Sequence, residues 1–298
     1  MSSFTYEQLQ KGINISEHIN NELIKEIQKE LDSVGVYYRI FGRTKTISSI
    51  VNKLNKKNYS VGEKMMQDVI GLRVVVYFND DIELCREILN GLFTLDNEEY
   101  DHPSTEEFKP IRINMVFKLP EQFQTEMIIN NEIPIDKTFE VQIRTVFSEG
   151  WHEIEHDLRY KRKRDWDSFP VYSRMLNGIF ATLETCDWSI IQLLDSISHE
   201  HYTHGKWIPM CINHFRMKFI LPQQSDEEEI NEMLDRNKDL AKAILRYNRL
   251  NLIVLLRNKY RNVPHTLKNV IYIINIETLR DEDVVKTTPQ LIMNLYST

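Results

Sequence analysis

Three groups of polar residues, each backed by apolar positions, have the residue types of a phosphate-transfer site. The first is the stretch 43–57, RTKTISSIVNKLNKK. Ile47, Ile50, Val51 and Leu54 recur at helical spacing, which predicts a helix over 43–57. Lys45, Ser49 and Lys53 then fall at i, i+4 and i+8 on the opposite face, with Arg43 and Lys56 nearby. Between Tyr37 and Lys64 there are seven basic residues and one acidic residue, Glu63, a balance of +6 inside a chain of −7. A lysine stripe is most often a solvated helix face. Cations and a hydroxyl at fixed pitch also make a cradle for a polyphosphate. The second group lies on two alternating segments. In 138–144 (TFEVQIR), Phe139, Val141 and Ile143 alternate with Glu140, Gln142 and Arg144. In 111–119 (IRINMVFKL), Arg112, Asn114 and Lys118 alternate with Ile113, Met115, Phe117 and Leu119. Two strands with charged faces describe a wet cleft over a sheet. The third is Asp68, in QDVIGLR, which with Arg73 brackets Gly71 at a strand entry. An Asp there and Glu140 on another strand would make a hard-cation pair, because magnesium takes one or two carboxylates and completes its shell with phosphate oxygens and water. The plainer alternative is a turn Asp capping the strand entry.

These side chains need a scaffold, and the periodicity supplies one. Residues 5–34 read as helix, 72–78 (LRVVVYF) as a buried strand and 82–92 as a short amphipathic helix; a further helix occupies 145–161. Strands mixed with helices over the first 165 residues make an α/β or α+β core. After the basic run RYKRKR at 159–164 the pattern changes. Residues 171–220 read as almost wholly helical. Ser225 with Glu228 forms a capping-box signature opening a helix at 226–236, and 237–259 continues as helix. Asn269–Ile276 (NVIYIINI) reads as one late strand. The punctuation at Asp165, Asp167, Ser168 and Pro170 sets a boundary near 165–170, with a smaller break near Leu221–Ser225. The organisation is an N-terminal helical segment (1–34), a mixed domain (35–167) and a mainly helical C-terminal region (168–298).

The whole chain sets bounds on these readings. Its 298 residues contain nine Gly and nine Pro, about half the usual share of roughly 12%. Phosphates would therefore be gripped by side chains rather than by a glycine-rich loop. Three cysteines and no CxxC argue against a disulfide framework or a cysteine zinc site and fit a reducing cytoplasm. No apolar run approaches the ~20 residues of a membrane span, and no signal peptide is expected. The acidic total argues weakly against a dedicated DNA binder.

Taken together the three groups resemble the synthetase domain of the RelA/SpoT family, the alarmone synthetases. FGRTKTISSIVNKL is similar to the family's G-R-x-K-x-x-x-S-x-x-x-K segment, MQDVIGLRVVVYFNDD to its D-x-x-G-x-R strand, and FEVQIRTVFSEGWHEIEHDLRYK to its E-x-Q-I-R-T…W…E-H…Y-K segment. The resemblance covers about 35–165 and implies a nucleotidyltransferase-like α+β fold, a mixed sheet flanked by helices. It implies a magnesium-dependent, ATP-dependent enzyme that moves pyrophosphate to the 3′-hydroxyl of GTP or GDP. Arg43 and Arg73 would sandwich the adenine. Lys45, Ser49, Lys53 and Lys56 would hold the ATP phosphates. Asp68 would ligate magnesium, and Glu140 would complete the metal site or accept the proton of the attacking hydroxyl. Gln142, His156 and Lys161 would lie at the acceptor end.

One segment departs from the family. The usual G-Y-x-S-x-H, whose Tyr stacks on the acceptor guanine, corresponds to KPIRIN at 109–114, with Pro110, Arg112 and Asn114 at the Tyr, Ser and His positions. Phe108 and Tyr100 are the aromatic candidates to replace that Tyr. The acceptor thus stays open between a guanosine nucleotide and the 3′ end of tRNA, the target of some toxic small members of the family. A third reading is a nucleotide-binding or partner-binding module without catalysis. His152-Glu153-Ile154-Glu155-His156 also matches HExxH, the zinc-protease signature. It falls inside the family segment, and no downstream Glu or His stands out as a third ligand, so it reads as a coincidence of spacing. The run at 159–164 is a solvated helix end or an RNA-backbone contact. For 168–298 no motif chooses among regulation, RNA binding, neutralisation of the catalytic part and a homo-oligomer interface.

Overall fold

The computed structural model describes residues 6–57, 59–100, 113–126, 133–220 and 222–297. The chain divides into two compact units: Met1–Glu30 with Tyr38–Asp187, and Leu31–Tyr37 with Trp188–Thr298. This partition falls inside one long helix, beyond the punctuated stretch at 165–170.

The first unit is built on a five-stranded mixed sheet. In chain order its elements are α1 (Tyr6–Asp32), β1 (Tyr38–Thr44), α2 (Ile47–Lys56), β2 (Ile70–Val76), α3 (Asp81–Leu92), β3 (Leu95–Tyr100), β4 (Ile113–Lys118), α4 (Glu121–Glu126), β5 (Thr138–Thr145), α5 (Val146–Ile154), a π-helix (Glu155–Tyr160), α6 (Lys163–Trp166) and the part of α7 (Pro170–Thr203) up to Asp187. The strand order is β1-β2-β5-β4-β3. Only β2 and β5 run parallel; the other neighbours are antiparallel.

Alternation gives the sheet two unlike faces. Leu72, Val74, Val76, Ile113, Met115, Phe117, Phe139, Val141 and Ile143 are all buried and line one of them. Phe93, just past α3, joins Phe117 and Phe139 in an aromatic cluster, its centroid 5.7 and 5.0 Å from theirs. Helix α1 approaches the same face so closely that a Cβ on Gly42 would meet Asn20 Oδ1 at 2.1 Å and Ile24 Cδ1 at 2.7 Å. Glycine there lets α1 pack on β1.

The expected strands over 72–78, 111–119 and 138–144 correspond to β2, β4 and β5. Several local expectations are corrected. The helix expected over 43–57 begins only at Ile47, because β1 runs on through Thr44 and Thr46 caps α2, accepting from the Ser49 amide at 3.3 Å. The helix expected over 145–161 is α5 followed by a π-helix, in which the Lys161 amide donates to His156 O. Strand β3, DNEEY after Leu95, went unpredicted.

The second unit is helical: α8 (Trp207–Phe215), α9 (Gln224–Arg236), α10 (Lys238–Arg246), α11 (Arg249–Asn258), α12 (Leu267–Glu277), α13 (Glu282–Thr287) and α14 (Gln290–Tyr296). Two further corrections lie here. NVIYIINI, expected as a strand, forms α12, whose Val270, Ile271, Tyr272, Ile273, Ile274 and Ile276 are all buried. A helix apolar all round is a core helix. Helix α9 starts one residue before Ser225, with Gln223 at its N-cap and no side-chain cap, so the Ser225–Glu228 box is not used. Among the described residues no helix is long and apolar enough to cross a membrane.

Candidate active site

The other face of the sheet is polar, and strand register orders it into rows. One row crosses Arg43 on β1, Gly71 on β2, Glu140 on β5 and Val116 on β4. The next crosses Phe41, Arg73, Gln142, Asn114 and Glu99, and a third Arg39, Val75 and Arg144. At Gly71 an added Cβ would meet nothing nearer than Arg43 O at 3.5 Å, so the strand floor between Arg43 and Glu140 is open.

Asp68, just before β2, organises the head of this face. Lys45 Nζ and Lys53 Nζ lie 3.0 and 2.5 Å from its Oδ2. Lys45 is not on α2. It sits in the turn after β1, its amide donating to Val69 O, and meets Lys53 only at Asp68. The cation pair thus comes from two elements joined by Thr46 and not from one helical stripe. Burial acts to raise the Asp68 pKa; the Lys53 hydrogen bond and the Lys45 charge outweigh it and hold the carboxylate below its ordinary value. Lys53 moves the opposite way to its burial, raised by its bond to Asp68. Asp68 Oδ1 is buried and accepts no hydrogen bond. Ser49, in the first turn of α2, receives the Thr46 hydroxyl at 2.9 Å, and Lys56 lies exposed in the last turn.

The middle rows are wired by charge. Arg144, with a side chain 5% exposed, lies 3.3 Å from Glu149 Oε2 and donates to Gln142 Oε1 at 3.0 Å. Gln142 Nε2 donates in turn to Glu140 Oε1 at 3.3 Å. Arg73 Nη1 bonds Glu149 at 2.5 Å and also Glu153. Burial works against the charged form of Arg73; the bonds to Glu153 and Glu149 overcome it and raise its pKa. Helix α5 is fixed for this role by a capping box at Thr145 and Ser148. Asn114 Oδ1, across from Gln142, is buried and accepts no hydrogen bond.

The structure therefore brings together Lys45, Lys53 and Asp68, and separately Arg73, Gln142, Glu140 and Asn114 on one sheet face, with Arg43 beside Gly71. His156 and Lys161 lie at the π-helix and just after it, both against Asp157, at 2.9 and 2.6 Å. Arg112, and with it Pro110 and Phe108, lies outside the described residues. The sequence reading missed Glu149 and Glu153; their i, i+4 spacing after a strand carrying Arg144 was the available signal. The HExxH run spans the end of α5 and the start of the π-helix. Glu153 is a partner of Arg73, the rings of His152 and His156 stand 6.2 Å apart, and among the described residues no group of three or more His, Cys, Asp or Glu could hold a metal. In the basic run, Arg159 bonds Asn177 and Ser173 O, while Lys161 and Arg162 pair with Asp157 and Asp165.

Residues 42–165 match the family model described as a region found in RelA / SpoT proteins. Two relatives are similar over part of the chain. GTP pyrophosphokinase YjbM of Bacillus subtilis is 25% identical over 155 residues, 47% of this chain and 69% of its own. GTP pyrophosphokinase YwaC of the same organism is 27% identical over 131 residues, 41% of this chain and 58% of its own. Among solved structures, smu.1046c from Streptococcus mutans superimposes with a TM-score of 0.48 at 24% identity, covering 64% of this chain and 96% of its own. The segment 42–165 thus matches a region found in RelA / SpoT proteins, and the chain is similar in part to two GTP pyrophosphokinases.

Proposed function

We propose that the chain is an ATP-dependent pyrophosphokinase that moves the β,γ-pyrophosphate of ATP to the 3′-hydroxyl of a guanosine nucleotide. One observation carries most of this reading: an ionised Asp68 held by Lys45 and Lys53 at the entry of β2, inside the RelA/SpoT region. In this role Lys45 and Lys53 turn from Asp68 to the donor phosphates, with Ser49 and Lys56 on the same helix as Lys53. Arg43 and Arg73 take the adenine, and Glu149 and Glu153 hold the Arg73 guanidinium in place. Asn114 and Gln142 face the acceptor with polar groups, one of them an acceptor oxygen without a partner. Arg112, His156 and Lys161 are assigned to the acceptor end on resemblance alone.

The donor set fits magnesium. Asp68 offers a buried carboxylate oxygen with no hydrogen-bond partner, and Glu140 a second hard oxygen one strand away. When bound, magnesium would neutralise charge on the pyrophosphate. The acceptor hydroxyl attacks the β-phosphorus, its proton passes to Glu140, the α–β bridging bond breaks and AMP leaves. Such transfer is mostly positioning and charge neutralisation.

The test offers γ-labelled ATP and magnesium with GTP, GDP or bulk tRNA. Label in a guanosine nucleotide, with AMP released, is the expected result; label in tRNA alone moves the acceptor to the tRNA 3′ end. No transfer to any acceptor overturns the proposal. Asp68→Ala and Glu140→Ala are expected to abolish transfer, and full activity in either removes these residues from the metal site.

A further inference from the structure

Phe41 is 53% exposed in the middle of a strand, on the face of the sheet that bears the candidate site. It stands directly opposite Arg73 in the β1–β2 register, one row from the pair Arg43 and Gly71. Opposed residues on neighbouring antiparallel strands have Cβ atoms about 5 Å apart, so the ring and the Arg73 side chain are immediate neighbours. Arg39 and Arg43 lie two residues to either side on the same face and are both exposed. Strand β1 is the edge of the sheet, and among the described residues no further strand pairs beyond it. The apolar positions of the sheet point to the other face. A flat apolar ring set among guanidiniums, next to the open floor at Gly71, is the arrangement by which proteins stack a nucleobase while cations take its phosphates.

We infer that Phe41 is a stacking platform for the base of a purine nucleoside triphosphate whose phosphates reach Lys45 and Lys53. This rests on the donor-site reading above and adds a residue to it. Arg73 is gripped by Glu149 and Glu153 and is thereby held in one orientation; the adjacent ring extends the surface that it offers to a base. Stacking tolerates any base, because every base has a π-face, so Phe41 supplies affinity and not base choice.

The test compares two ligands on the full chain by calorimetry: a non-hydrolysable ATP analogue and inorganic tripolyphosphate, which has no base. Phe41→Ala is expected to weaken the analogue about tenfold and to leave tripolyphosphate unchanged. Phe41→Trp is expected to restore the analogue, with the new indole quenched on binding relative to the wild-type background. Wild-type affinity for the analogue in Phe41→Ala overturns the inference. So does equal weakening of both ligands, which marks a structural role. Wild-type protein that binds neither ligand overturns the donor-site reading and the platform together, a result distinct from the other two.

Discussion

Glu149 and Glu153 both bond Arg73, yet they are not equivalent, and replacing each by Gln measures the difference. The Glu149 side chain is 17% exposed and also faces Arg144, which is 5% exposed, at 3.3 Å. Glu153 is 53% exposed and bonds Arg73. At 3.3 Å and an effective dielectric of about 20, the Arg144–Glu149 attraction is roughly 5 kcal/mol before desolvation. Removing one member of a buried pair typically costs about 3–5 kcal/mol, because the other charge stays buried. Arg144 keeps its bond to Gln142, and an amide at 149 still accepts a hydrogen bond. The net expectation for Glu149→Gln is therefore a loss of about 2–3 kcal/mol. For the exposed pair, Glu153→Gln should cost below about 1 kcal/mol. Urea titration followed by tryptophan fluorescence reads both, since Trp151 sits on the same helix. A shift for Glu153→Gln as large as that for Glu149→Gln would refute the reasoning, because the two differ chiefly in burial and in the second guanidinium.

Other substitutions probe the same unit. Asp187, 7% exposed, accepts the Thr145 hydroxyl at 2.7 Å, and burial pushes its pKa up to about 6. A raised acid pKa gives stability that is present below about pH 4 and lost as pH rises through about 6; a shift of this size is worth about 3 kcal/mol at most. Asp187→Asn, which can still accept from Thr145, should therefore raise the melting temperature at pH 8 and change it little at pH 4; equal shifts at both would contradict this. Gly71→Ala should fold with stability unchanged or higher, since a Cβ meets only ordinary contact, yet bind ATP more weakly. Unchanged affinity would show that the open floor serves no ligand. Metal analysis of the purified chain should find no stoichiometric zinc, and its presence would reinstate the HExxH run.

What could be read from the sequence follows range. Alternation in 138–144 and 113–118 fixes which side chains share a face, so Glu140 and Gln142 were assigned to the polar side from spacing alone. Asp68, Lys45 and Lys53 were recognisable as a motif, but their convergence was not. The mistaken helix start at Arg43 hid it, because Thr44, Thr46, Ser48 and Ser49 all suit a cap and only the pairing of β1 with β2 selects Thr46. NVIYIINI failed for a different reason: an unbroken apolar run has no period, and burial on every side suits a core helix as well as a strand. Strand β3 is the converse, since Asp96, Glu98 and Glu99 have poor strand propensity and form a strand only by pairing with β4, with Glu98 tied to Arg86. Contacts such as Arg73–Glu149 span 76 residues. They depend on β2 and β5 lying side by side and in parallel, a topological fact that neither segment encodes alone. The side chains that bear a reaction can thus be nominated locally. Those that orient them, here Glu149 and Glu153, become visible only once the sheet order is known, and that is why Glu149 goes unread in the sequence and Glu153 reads there only as part of a zinc motif.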